Sequence, residues 1–186
     1  NQRWTNFKIL RFPGRRKIYS LLKATLSPLF KKYLENHQQE PIVRAHVGGD
    51  FFKDDYFLAW MDLAEFYDPA KFYAYTKRLD LWVLYMDDIP TNFELNASRG
   101  GKFDDLIDLH KLKSAEVVYS LDEAKQKGLE LDHDDSHAYN PGPSFGQLIH
   151  GCQPAGSDAS KALINLKKET GWTGYSTNPV KAKAPP

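Results

Sequence analysis

At 186 residues, with 41% hydrophobic and 26% charged side chains, the chain has the size and composition of one globular domain with a real core. No apolar run approaches the roughly 20 residues that span a bilayer, and a single cysteine, Cys152, excludes an internal disulfide framework and any multi-cysteine zinc or iron–sulfur site within the chain. The net charge of +1 hides an asymmetry, because residues 1–40 hold nine Lys/Arg against two Asp/Glu and the remainder sixteen against twenty-two.

Residues 1–16 are aromatic and basic, with a break at Pro13-Gly14. Over residues 17–35, Ile18, Leu21, Leu22, Leu26, Leu29, Phe30 and Tyr33 recur at helical spacing. Pro28 should kink that helix or restart it. Residues 1–41 are therefore expected to form a basic arm and helix, followed by one α/β domain over residues 42–170 and a flexible tail over residues 171–186.

The strands expected over 42–47, 72–77 and 93–98 each carry one apolar and one polar face, since successive strand side chains alternate. Val43, Ala45 and Val47 oppose Arg44 and His46. Tyr73, Tyr75 and Lys77 form the polar set of the second strand, and Glu94, Asn96 and Ser98 that of the third. Helical segments at 54–66, 79–86 and 103–109 separate the strands, which implies parallel crossovers. A fourth strand over 116–120, with Val117 toward the helices, runs into a helix over 121–127 capped by Gly128. An irregular polar loop at 132–144 precedes a short strand at 146–150 and a helix at 158–169. Parallel strands covered on both sides read as continuous apolar runs, and these do not. The expected fold is α/β, with a parallel, partly closed, incomplete barrel-like sheet, helices on its outer face and a polar inner face.

In parallel sheets, sites form at the carboxyl ends of the strands. There the sequence places His46, Asp50 and Lys77 as candidate catalytic groups. Arg44, Tyr75, Glu94, Asn96 and Arg99 are candidate contacts for a small polar or anionic ligand. Asp50 follows Gly48-Gly49 and would orient His46, accept a proton or bind a metal; alternatively it caps the following helix. His133, Asp135, His137 and His150 offer donors to a divalent ion, and the loop holding the first three is expected to fold over the strand ends. No His-Glu-x-x-His spacing accompanies them. The cofactor is otherwise left open, and an iron–sulfur cluster does not suit a chain with one cysteine.

Four stretches resemble the bacteriophage gene product 88 family. They are Val43-Arg44-Ala45-His46-Val47-Gly48-Gly49-Asp50-Phe51-Phe52, Phe72-Tyr73-Ala74-Tyr75-Thr76-Lys77, Asp132-His133-Asp134-Asp135-Ser136-His137-Ala138, and His150-Gly151-Cys152-Gln153-Pro154-Ala155-Gly156-Ser157. The resemblance covers residues 42–165 and implies a phage or phage-related gene; the cytoplasmic setting expected of a chain with one cysteine is then the host cytoplasm. Members often carry cysteine-rich segments, including an N-terminal one similar to radical S-adenosylmethionine enzymes, which use an incomplete parallel barrel. This chain departs from that pattern, since residues 1–41 hold no cysteine and Cys152 stands where the family suggests threonine.

Three readings follow. The first is a protein that binds a small polar or anionic ligand in the lumen of a partial barrel. The second is a metal-dependent hydrolase or nuclease-like enzyme. The third is an accessory protein that contacts nucleic acid or a host factor through residues 3–32, with no membrane partner.

Overall fold

The computed structural model describes residues 2–37 and 39–171. The anticipated tail lies, from residue 172 onward, outside them. The chain falls into two compact units, residues 1–112 and 113–186.

The first unit opens with helices α1 (Gln2–Leu10) and α2 (Arg15–His37). It continues through β1 (Ile42–Arg44), α3 (Asp54–Phe66), β2 (Lys71–Thr76), α4 (Leu79–Leu84), a 3-10 turn at Met86–Asp88, β3 (Phe93–Ser98) and α5 (Asp105–His110). β1, β2 and β3 are parallel neighbours in that order. Val43 pairs with Phe72 and Phe72 with Phe93, while Ala74 pairs with Leu95. Paired residues of neighbouring strands share a face, so these apolar side chains form one surface. The stripe of α3 covers it, with Phe57, Ala59, Trp60, Leu63 and Ala64 buried in the same core as Phe72, Ala74, Phe93 and Leu95. α2 joins that core through Ile18 and Phe30, and Phe30 stacks on Tyr67 at 4.2 Å. Pro28 lies inside α2, which runs on through it without restarting.

The second unit holds β4 (Ser114–Val118), α6 (Leu121–Gln126), β5 (Glu130–Leu131), α7 (Ser136–Tyr139), β6 (Phe145–Leu148) and α8 (Asp158–Thr170). β6 lies between β4 and β5, parallel to both. Its small core gathers Val118, Ala124, Leu148, Ile149 and Leu166. The side chain of Ser157 caps α8 by accepting from the Ser160 N–H at 3.1 Å.

The fold is thus α/β with parallel strands, as the helices between the strands implied. The strand ladders are open, however, and do not close into a barrel. Two strand details also differ from expectation. Val117 is 48% exposed and Val118 fully buried, so the pleat of β4 runs one residue out of phase with the expected one. Two adjacent valines carry no phase of their own. β1 ends at Arg44 and the chain bends at Ala45, so alternation does not extend to His46 or Val47, and Val47 is 84% exposed.

Candidate functional site

The polar face of the first unit's strands does form as one surface. The register sets Arg44 beside Tyr73, Tyr73 beside Glu94 and Tyr75 beside Asn96. Tyr73 and Asn96 are buried. The Arg44 guanidinium lies 4.7 Å from the Tyr75 ring centre, and its Nε donates to the His46 carbonyl at 2.8 Å. Asn96 Nδ2 donates to the Ala74 carbonyl at 3.4 Å. Arg99 donates to Asp108 at 3.2 Å. Arg44, Asn96 and Arg99, among the anticipated ligand contacts, are thus engaged in local bonds of the strands and loops.

The three anticipated catalytic groups are committed in the same way. Asp50 does not cap α3, whose N-cap position is Lys53 with no side-chain cap. Its carboxylate reaches across to the end of β2 instead. Oδ1 accepts from the Thr76 hydroxyl at 2.6 Å and from the Phe51 N–H at 2.7 Å, and Oδ2 accepts from the Lys77 N–H at 2.7 Å. Arg78 extends this tie by donating to the Phe51 carbonyl at 2.9 Å. The Lys77 ammonium donates to the carbonyls of Ser98 and Arg99 at 2.9 and 2.6 Å, which pins the end of β3 to that of β2.

His46 was expected on the polar face with Arg44. Its ring packs on the α3 side instead, with centroids 4.6 Å from Phe51, 5.5 Å from Tyr56 and 6.2 Å from Trp60. Its Nε2 is 3.1 Å from the Tyr56 hydroxyl, and its buried Nδ1 has no hydrogen-bond partner. Removal from water lowers the imidazole pKa to about 4, with Asp50 opposing that shift and Arg44 adding to it. At neutral pH the ring is uncharged. Burial likewise raises the Tyr56 phenol above its ordinary value.

In the polar loop, His137 N–H lies 3.4 Å from Asp132 Oδ1, and its Nε2 is 3.3 Å from Glu130 Oε2. Asp132 is buried and His133 exposed. Asp135 sits at the N-cap of α7 with φ 64°. Asp134 accepts from the Ser136 N–H at 3.0 Å, and its bonds to Ser136 lower its pKa. His150 Nδ1 is 2.8 Å from the Leu148 carbonyl. Among the described residues, no group of three or more His, Cys, Asp or Glu comes together in a way that could hold a metal ion. The donor set anticipated at His133, Asp135, His137 and His150 is therefore not assembled. Sequence spacing alone could not reveal that His137 turns to Glu130 and Asp132, and His150 to the Leu148 carbonyl.

The feature that sequence reasoning missed is a cleft of about 600 Å³ in the first unit. One wall is α1, through Trp4, Asn6, Phe7 and Leu10. The other is the loop Ala45–Asp50 with Phe52 and Tyr56, and His46 is among the lining residues. The loop begins at the carboxyl end of β1, and Gly49 at φ 103° lets it turn there. α1 is held in place by Phe7 packing edge-on to Phe52 at 5.1 Å. The Lys53 ammonium adds bonds to the carbonyls of Arg11 and Pro13, at 3.1 and 2.5 Å. The signal for this wall was present as Trp4, Phe7 and Leu10 at helical spacing, but a segment dense in cations does not read as a packed helix.

A family model described as gene product 88 matches residues 1–167, and the chain belongs to that family. No curated protein and no solved structure matches it. Among the described residues, no helix is long and apolar enough to cross a membrane.

Proposed function

We propose that the protein is a binding module for an anionic ligand that carries a flat apolar body, and that this body enters the cleft between α1 and the loop Ala45–Asp50. The observation that carries this reading is the cleft itself. Its size falls in the usual range for small-molecule sites. It lies at a strand's carboxyl end, and its walls supply Trp4, Phe7, Phe52 and Tyr56 as ring surfaces. The anionic part follows from charge, since residues 1–34, which include α1, hold nine Lys/Arg and no Asp or Glu. Binding is favoured over catalysis because His46, Asp50 and Lys77 have their polar atoms occupied or buried, and a neutral imidazole with a pKa of about 4 is a weak base.

Anilinonaphthalene sulfonate, an aromatic anion, is a suitable probe. The native protein should enhance its fluorescence saturably at one site. Ala45→Phe, which fills the cleft from its loop wall, should abolish that response while circular dichroism stays native. Enhancement that survives the block would place the probe elsewhere and defeat the reading.

A further inference from the structure

We infer that the ligand of this cleft is a base of a single-stranded nucleic acid, whose backbone runs over α1 and the turn that follows it; the inference rests on the cleft being the binding site. Single-strand binders combine a cationic track for phosphates with aromatic side chains on which bases stack. Both parts are present on this segment. Trp4 is 64% and Phe12 79% exposed, although large aromatic rings are normally withdrawn from water. The Arg11 guanidinium lies between rings, 5.5 Å from the centre of Phe7 and 4.6 Å from that of Phe12. Lys8 on α1, and Arg16 and Lys17 in the first turn of α2, are exposed.

The arrangement of these groups discriminates between anionic partners. At 100° per residue, Trp4, Phe7 and Lys8 fall on one side of α1, and Arg11 follows directly after its last residue. A helix that lies in a membrane interface separates its cations from its apolar face. Here cations and rings share a face, as a strand of alternating phosphates and bases requires. Duplex fits less well, because its stacked bases offer no ring faces to Trp4 or Phe12. The acidic lining residue, Asp50, has both carboxylate oxygens engaged by Thr76, Phe51 and Lys77, which mutes its repulsion of a phosphate.

The test uses the full chain and fluorescently labelled homopyrimidine strands, one of DNA and one of RNA, followed by anisotropy at rising salt. Either strand should bind, and log K should fall with log salt by about 0.7 per phosphate contact. Trp4→Ala and Phe12→Ala should each weaken binding about fivefold to a hundredfold, the range expected for one stacked base. Both side chains are exposed, so the variants should fold. Reversing charge at Lys8, Arg16 and Lys17 to Glu should flatten the salt dependence. Equal affinity for duplex, indifference to Trp4→Ala and Phe12→Ala, or binding to anionic phospholipid vesicles in place of strands would each overturn the inference. If strands fail to bind while anilinonaphthalene sulfonate still occupies the cleft, this inference falls and the ligand reading stands. If neither binds to the folded protein, both fall.

Discussion

His46 is the residue whose environment has the clearest consequence. Its folded pKa of about 4 lies below the unfolded value of 6.5. Above pH 6.5 neither state binds the proton. As pH falls toward 4 the unfolded chain takes it up and the folded chain does not, so stability is lost across that interval. The loss attributable to this group is about 3 kcal/mol when the interval has been crossed. His46→Gln should therefore show a flatter dependence of urea midpoint on pH between 6.5 and 4 than the native protein; parallel curves would mean that the ring is solvated. Asp50 carries the second residue-scale prediction. Asp50→Ala leaves the Thr76 hydroxyl and two N–H groups unpaired near the end of β2. It should cost about 2–4 kcal/mol by urea unfolding, with Asp50→Asn recovering part. A loss below about 0.5 kcal/mol would show that the carboxylate is not a structural tie.

At the scale of elements, long periodic segments were legible and their chemistry was not. The apolar stripe of α3 and the alternation in β2 and β3 located those elements to within a residue, because burial of one face leaves a clear period. α1 was not legible as a helix, since its rings and cations share a side. β5, with two residues, is too short to show a period. His46 was misplaced because alternation was carried past the end of β1, where the backbone no longer obeys it. In the loop 132–137, Asp134 bonds to Ser136 and His137 turns to Asp132 and Glu130, local partners that spacing does not disclose. Packing of α2 gives the element-scale test. Ile18 is fully buried and sits one turn from Arg15, which is bonded to Asp62 of α3. Ile18→Ala should cost about 2–5 kcal/mol, whereas Leu29→Ala, at a 58% exposed position of the same helix, should change the urea midpoint little. Similar losses at both sites would mean that α2 is not docked by the Ile18 face.

Over the whole molecule, a net charge of +1 conceals a segment of nine cations and no acid over residues 1–34. That segment does two things in the first unit. Ile18 and Phe30 close the core over β2, while α1 supplies one wall of the cleft. The polar strand face with Tyr75, Glu94 and Asn96, and a hollow in the second unit lined by Ser136 and His137 of α7 and by Asn140–Pro143, are competing places for a ligand. The most direct discrimination is a backbone-amide and indole N–H spectrum of the isotope-labelled protein, recorded as anilinonaphthalene sulfonate is added. Binding in the cleft should move the Trp4 indole resonance and the amides of Phe7, Gly48, Gly49 and Phe52. Shifts confined to Tyr75, Glu94 and Asn96, or to Ser136 through Gly142, would contradict it.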